Sequence, residues 1–168
     1  MNSLSKKYSL LIKYPREQAK NLLSKYRQQK TDNWELLKTI ARENDITIDF
    51  WPFDKDIAGM YWKYGNKSII AVNENHTRDE QTFTIAHHMG HHFLNHKPSL
   101  CLANLFDSPR KEEQEANIFA VELLMPKESI ENICKEYLSV DLLEKLSETF
   151  QLPENIISYR IQMLDVEN

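Results

Sequence analysis

The 168-residue sequence is poor in glycine and cysteine and has no long hydrophobic stretch. Its three glycines, Gly59, Gly65 and Gly90, cannot spell the glycine-rich phosphate loops of dinucleotide-binding or P-loop proteins. Two cysteines without a secretory signal favour reduced thiols over a disulfide framework, and no segment approaches the ~20 apolar residues of a membrane span. We therefore expect a cytoplasmic protein without a membrane partner.

Charge is distributed unevenly along the chain. The first thirty residues contain eight Lys/Arg against Glu17 alone, whereas the rest contain thirteen Lys/Arg and twenty-four Asp/Glu. We expect residues 1–30 to form a basic N-terminal helical segment and residues 31–168 to form one domain. Direct nucleic-acid binding is not expected, because the acidic C-terminal helical pair, a loose helix-turn-helix, would repel a phosphate backbone.

Capping and turn residues predict the order of the elements. Pro15 is typical of a helix start, and Thr77 with Glu80 forms a capping box ahead of a second long helix. Gly65-Asn66 predicts a tight hairpin turn within a small antiparallel sheet. Helices are expected over 16–27, 33–43, 78–95 and 108–125, with shorter ones beyond Pro126, and strands over 46–50, 57–64 and 67–73.

The histidines are concentrated in one helix. All six fall within residues 76–96. On a helical wheel His87 and His91 lie at the edge of the apolar arc, whereas His88 and His92 point further toward solvent. Two imidazoles at i, i+4 can bind one metal ion, and H-x-x-x-H is the skeleton of the zinc-protease motif H-E-x-x-H. The sequence therefore predicts a metal site at His87 and His91.

A third ligand is expected from the helix that follows. Glu112 and Glu115 both project on or beside its apolar arc, and a carboxylate next to a core needs a partner. Zinc bound by two histidines and one glutamate, with a fourth position open to water, would supply that partner. Both glutamates are candidates on this reasoning.

Two segments resemble the signature blocks of the ImmA/IrrE metallopeptidase family. They are residues 82–91, TFTIAHHMGH, and residues 115–126, EANIFAVELLMP. The resemblance implies a zincin-like α+β fold with a small antiparallel sheet beside the metal helix. It also implies Zn²⁺ held by His87, His91 and Glu115, with Glu112 as the runner-up, and cytosolic cleavage of helix-turn-helix repressors of phages and mobile elements. An edge strand over Lys67–Asn73 is the candidate site for a substrate peptide.

One position departs from the family pattern. His88 stands where the family has its catalytic glutamate. His88 could act as the general base, Glu112 or Glu113 could replace it, or the protein could bind metal without hydrolysis and act as an antirepressor. Tyr61 and Tyr64 are either oxyanion donors or cross-strand packing residues, and Cys101 is either close to the metal or an inert buried thiol.

Overall fold

The described residues form helices and the strands of one sheet. The computed structural model describes residues 3–26, 31–103, 106, 108–136 and 142–165. The fold is mixed α and β, which confirms the predicted fold class. The elements are α1 (Ser3–Ser24), α2 (Asn33–Glu43), β1 (Ile46–Trp51), β2 (Ile57–Tyr64), β3 (Lys67–Asn73), α3 (Arg78–Phe93), β4 (Ser99–Leu102), α4 (Lys111–Leu124), α5 (Lys127–Glu136), α6 (Leu142–Phe150) and α7 (Glu154–Asp165).

The sheet is mixed, with strand order β1-β3-β2-β4. Strand β2 pairs antiparallel with β3 and β4, but β1 pairs parallel with β3. The prediction of an antiparallel sheet is therefore wrong for one strand pair. The prediction that Lys67–Asn73 forms an edge is also wrong, because β1 occupies the side of β3 that the hairpin leaves open. The edges of the sheet are β1 and β4.

Helix α3 lies between the sheet and α4. It contacts β2 and β3 on one side and α4 on the other, and α1 packs on α4. As a result every residue from 81 to 91 is buried. The approach of α3 to α4 depends on Gly90, where an added Cβ would lie 2.9 Å from the Ala116 Cα. The helix with the histidines is thus held between two layers.

Helix α1 starts earlier than predicted. It begins at Ser3 and contains Pro15 in its interior, so the prediction of a start at Pro15 is wrong; the predicted end at Arg27 lies outside the described residues. Proline removes one backbone donor, but packing compensates, because Ile12, Ala19 and Leu22 of α1 are buried. The predicted division at residue 30 stays a prediction.

A buried ion cluster ties three helices together. Arg160 of α7 is fully buried and donates two hydrogen bonds, 2.8 and 2.9 Å long, to the Glu122 carboxylate of α4. Arg16 of α1 pairs with the same carboxylate. Such a pair is costly to break from one side, because the remaining charge stays buried.

Among the helices of the described residues, none has the length and hydropathy required to span a membrane.

Candidate metal centre

Three donor atoms converge between α3 and α4. The Nε2 atoms of His87 and His91 are 3.1 Å apart, and Glu113 Oε2 lies 3.2 Å from the first and 3.6 Å from the second. Ligands of a tetrahedral zinc ion, each about 2.0–2.1 Å from the metal, lie about 3.3–3.4 Å from one another. The separations in the structure match one face of such a tetrahedron, so the residues present fit a bound metal ion.

The spacing of two helices produces this convergence. His87 and His91 are one turn apart on α3, and Glu113 and Asn117 are one turn apart on α4. Asn117 Oδ1 is 2.8 Å from His87 Nδ1, so His87 donates from Nδ1, and Nε2 is the ring nitrogen directed at the other two donors. Arg110 binds the other oxygen of Glu113, Oε1, at 2.7 Å. Each donor is therefore oriented by a second residue.

The structure does not bring Glu115, the predicted third ligand, to the histidine pair. Glu115 Oε2 lies 3.3 Å from His96 Nε2, and Lys111 binds its other oxygen. His96 Nδ1 is in turn 3.1 Å from His91 Nδ1. Glu115 thus acts on His91 through His96. The physical reason is helical phase, since Glu113 and Glu115 project about 200° apart around α4.

The runner-up Glu112 is exposed at the start of α4 and contributes no atom to this group of donors. The sequence favours Glu113 only as a substitute base and gives no role to Asn117, whereas the structure places both beside His87. The sequence does contain a signal for both: an acidic residue and an amide four residues apart on α4 mirror the two histidines four residues apart on α3.

His88 is fully buried, which contradicts the predicted orientation toward solvent. The wheel treats α3 as covered on one face, whereas the sheet and α4 cover two. A Cβ at Gly59 of β2 would lie 3.1 Å from His88 Nε2, so the missing side chain at residue 59 makes room for the imidazole. The ligand atoms of His87, His88 and His91 lie within 4.8 Å of one another. His88 therefore lies beside the donor group, at the sheet side.

The pKa values reflect burial and close contact. Burial lowers the pKa of His91 to about 4, and burial together with His87 and His91 holds the pKa of His88 well below its ordinary value. Burial opposes ionisation of Glu113, but hydrogen bonds with His87 and His91 outweigh it and hold the carboxyl pKa far below its usual range. Neutral imidazoles and an ionised carboxylate are the forms that bind metals.

His87 is the exception among these histidines. Burial lowers its pKa, but Cys101 and Glu113 outweigh burial and raise the pKa to about 10. Without a metal, His87 therefore tends to hold a proton on Nε2, the nitrogen that faces Glu113. A metal cation would bind through the lone pair of the same nitrogen. A metal ion would displace that proton, so binding is expected to release it.

Several buried polar atoms at this site have no hydrogen-bond partner among the described residues. They are the Tyr61 hydroxyl, both ring nitrogens of His88 and the Ser99 hydroxyl. Tyr61 is fully buried and its ring stacks on those of His88 and His91 at 6.5 and 6.3 Å between centroids. Buried polar atoms without partners are rare in native proteins and mark places where water or an ion binds.

The remaining candidates fall outside the donor group or at its margin. Tyr64 is 82% exposed at the end of β2, which excludes it as an oxyanion donor. His76 contacts the Lys55 carbonyl oxygen, and His92 contacts the Ser68 hydroxyl. Cys101 of β4 is buried, and its sulfur forms a group with His87 and Glu113 in which all ligand atoms lie within 4.8 Å of one another.

Comparison with known proteins agrees with this architecture. Residues 41–162 match the Peptidase_M78 family model, which is described as the IrrE N-terminal-like domain. The chain is also 38% identical over 110 residues to "Uncharacterized immunity region protein 2" of Bacillus phage phi105, a match that covers 62% of this chain and 64% of the phage protein. The match thus spans less than two thirds of that relative's length. The chain belongs to the Peptidase_M78 family of IrrE-like metallopeptidase domains.

Proposed function

We propose that this protein is a zinc-dependent endopeptidase that cleaves a helix-turn-helix repressor-type protein in the cytoplasm, in phage or mobile-element gene regulation. The observation that carries the proposal is the triangle of His87, His91 and Glu113 donor atoms, 3.1–3.6 Å on a side. Family membership supports the reaction class. The name of the phage relative, an immunity region protein, supports a regulatory substrate.

Zinc is the proposed metal because of the donor set. Two imidazole nitrogens and one carboxylate oxygen are the ligands of many hydrolytic zinc sites, and their separations suit tetrahedral coordination. When bound there, the ion would polarise a peptide carbonyl and make a water molecule more acidic. Asn117 and the His96–Glu115 pair would hold the two imidazoles in the orientation that directs Nε2 to the metal.

His88 is the proposed general base. It occupies the position after the first histidine ligand, one of its ring nitrogens lies within 4.8 Å of the ligand atoms of His87 and His91, and its neutral imidazole can accept a proton. Glu112 is too exposed for this role, and Glu113 is engaged by His87 and His91. A neutral histidine with a low pKa is a weaker base than a carboxylate in this position, so the reaction should be slow.

A second function, an antirepressor that binds its partner without cutting it, is favoured by the enclosure of the site. The three histidine side chains are at most 1% exposed and the Glu113 side chain is 6% exposed. A peptide therefore has no direct path to the donors in this arrangement of the chain. Residue 88 is a histidine and not a carboxylate, which also favours binding without cleavage.

Cleavage of purified phage helix-turn-helix repressors by zinc-loaded protein separates the two functions. We expect slow cleavage by the wild type, a loss of about 10²-fold or more in His88→Ala, and recovery or gain in His88→Glu, which restores the carboxylate. His92→Ala is the matched control one turn along α3, since His92 contacts Ser68 and not the donor group. If the wild type binds a repressor, leaves it intact and His88→Glu cuts it, the chain is an antirepressor.

A further inference from the structure

Strand β4 turns one cysteine toward the metal donors. Its side chains alternate, with Leu100 and Leu102 42% and 57% exposed and Cys101 between them 1% exposed. Cys101 pairs with Gly59 of β2, next to an irregularity in the β2–β4 pairing. The face of the sheet that Gly59 and Cys101 share lies against α3. The thiol is therefore directed at the histidine helix.

The sulfur of Cys101 belongs to the same group of donors as the proposed zinc ligands. Its atom and the ligand atoms of His87 and Glu113 all lie within 4.8 Å of one another. His87 and Glu113 are also two corners of the triangle completed by His91. Four potential ligands from α3, β4 and α4 thus belong to two overlapping groups that share His87 and Glu113.

An independent observation indicates that a ligand or ion belongs at this point. The Ser99 hydroxyl oxygen on the same strand and both ring nitrogens of His88 on α3 are buried atoms with no hydrogen-bond partner among the described residues. The site therefore has unpaired polar atoms on β4 and on α3.

We propose that Cys101 is a fourth, inhibitory ligand of the metal, so that His87, His91, Glu113 and Cys101 hold it in a closed four-coordinate state. This inference rests on the proposed metal site. The metal–sulfur bond forms as the thiol S–H bond breaks, and the proton leaves to solvent without any change of oxidation state. A site with four protein ligands has no position for water, which is the arrangement of structural rather than catalytic zinc.

Activation would then require the sulfur to leave the metal. Strand β4 is suited to such movement because it has only four residues and pairs with β2 alone. The other three donors are held on two long helices that pack closely at Gly90. A displacement of β4 would open the fourth position without disturbing the remaining ligands.

His88 is the competing fourth ligand, because its nitrogen atoms also lie near His87 and His91. His88 and Cys101 thus each form a group of possible ligands with His87, and a sulfur-specific signal distinguishes the two. Cys101 comes from a separate element, β4, and shares its group with both His87 and Glu113, whereas the group that contains His88 does not include Glu113.

The test is the absorption spectrum of the full chain loaded with Co²⁺ in place of zinc. We expect one cobalt ion per chain and a near-ultraviolet sulfur-to-cobalt charge-transfer band, together with the visible bands of tetrahedral cobalt. Cys101→Ser should lose the sulfur band and keep bound cobalt. Cys134→Ser, the matched control on α5, and His88→Ala should both keep the sulfur band.

The possible outcomes separate the inference from the metal site itself. Bound cobalt without a sulfur band in the wild type would overturn the role of Cys101 and leave the His87–His91–Glu113 site standing. A sulfur band that persists in Cys101→Ser would also overturn it. No cobalt binding by any folded variant would overturn the metal site and the role of Cys101 together. Circular dichroism of Cys101→Ser, and the same cobalt spectrum of Cys101→Ala, show whether a lost sulfur band comes from a folding defect in the serine variant.

Discussion

Substitution of Gly90 by alanine tests whether the close packing of α3 on α4 builds the metal centre. In an exposed helix this change stabilises by about 1 kcal/mol, because alanine has the higher helix propensity. Here the new Cβ would lie 2.9 Å from the Ala116 Cα and 3.0 Å from the Ala116 carbonyl oxygen. Normal carbon contacts are about 3.5–4.0 Å, and the obstructing atoms are backbone, which cannot rotate away.

The two helices must therefore move apart by about 0.5–1 Å, which is the difference between the built and the normal contact distance. Overpacking in a core typically destabilises by about 1–3 kcal/mol, and contact with backbone falls toward the upper end. After subtraction of the propensity gain, we expect Gly90→Ala to lower the free energy of unfolding by about 1–2 kcal/mol.

The same movement should weaken metal binding. Ala116 lies next to Asn117 and three residues from Glu113, so a shift of α4 moves both partners of His87. Sites of this kind need their groups held within about 0.5 Å. We therefore expect zinc affinity to fall about tenfold or more, in the range found when residues that orient the ligands are lost.

Urea unfolding and competitive zinc titration measure the two effects. Gly65→Ala is the matched control, because Gly65 has φ +60° in open space and its substitution strains the hairpin turn by about 1–2 kcal/mol away from the metal. It should lower stability to a similar extent and leave zinc affinity unchanged. A Gly90→Ala protein that is more stable than the wild type, with unchanged zinc affinity, would refute the reasoning.

Four further outcomes are expected. In zinc titration calorimetry, Glu113→Gln should abolish stoichiometric binding, whereas Glu115→Gln should only lower the affinity, by about tenfold, because it acts through another residue. Asn117→Ala should lower zinc affinity by about 10- to 100-fold, as measured by chelator competition. Removal of zinc from a sample held at about 100 times its Kd should lower stability by about 2.7 kcal/mol in calorimetric melting. Arg160→Met should destabilise by about 3 kcal/mol in urea, since it strands most of the buried Glu122 charge.

Local signals predicted the parts of the fold that local chemistry controls. The capping box of Thr77 and Glu80 is present, with the Thr77 side chain accepting from the Glu80 backbone, and α3 begins at Arg78 as expected. The hairpin turn at Gly65 has the positive φ that its glycine suggested. Both features depend on residues within four positions of one another, which a single sequence displays directly.

Features that depend on distant packing were not predictable in this way. Strand β4 has only four residues, and its alternating pattern means little until β2 is present to pair with it. The parallel pairing of β1 with β3 involves strands separated by a complete hairpin. Helix α1 continues through Pro15 because α4 supports it, and no local rule contains that contact.

The difference between the predicted third ligand, Glu115, and the carboxylate that lies beside the histidine pair, Glu113, has the same origin. A wheel drawn for α4 alone puts both Glu112 and Glu115 near the apolar arc, but the position of α3 decides which carboxylate meets the histidines. Because Gly90 brings α3 against Ala116, Glu113 one turn before it and Asn117 directly after it both reach His87. The contact between the two helices, and not either helix alone, thus decides which carboxylate lies beside the histidine pair.

The identity of residue 88 and the proposed binding of Cys101 both affect the net charge of the metal centre. A divalent ion held by two neutral imidazoles, the Glu113 carboxylate and a Cys101 thiolate forms a centre with no net charge. A glutamate at residue 88 would add a second carboxylate in a fully buried position, with Gly59 backbone and the Tyr61 ring as neighbours. An uncompensated buried charge is strongly unfavourable, whereas a neutral imidazole fits without one. His88 therefore suits the closed, sulfur-bound state, and a glutamate in its place should favour departure of the sulfur.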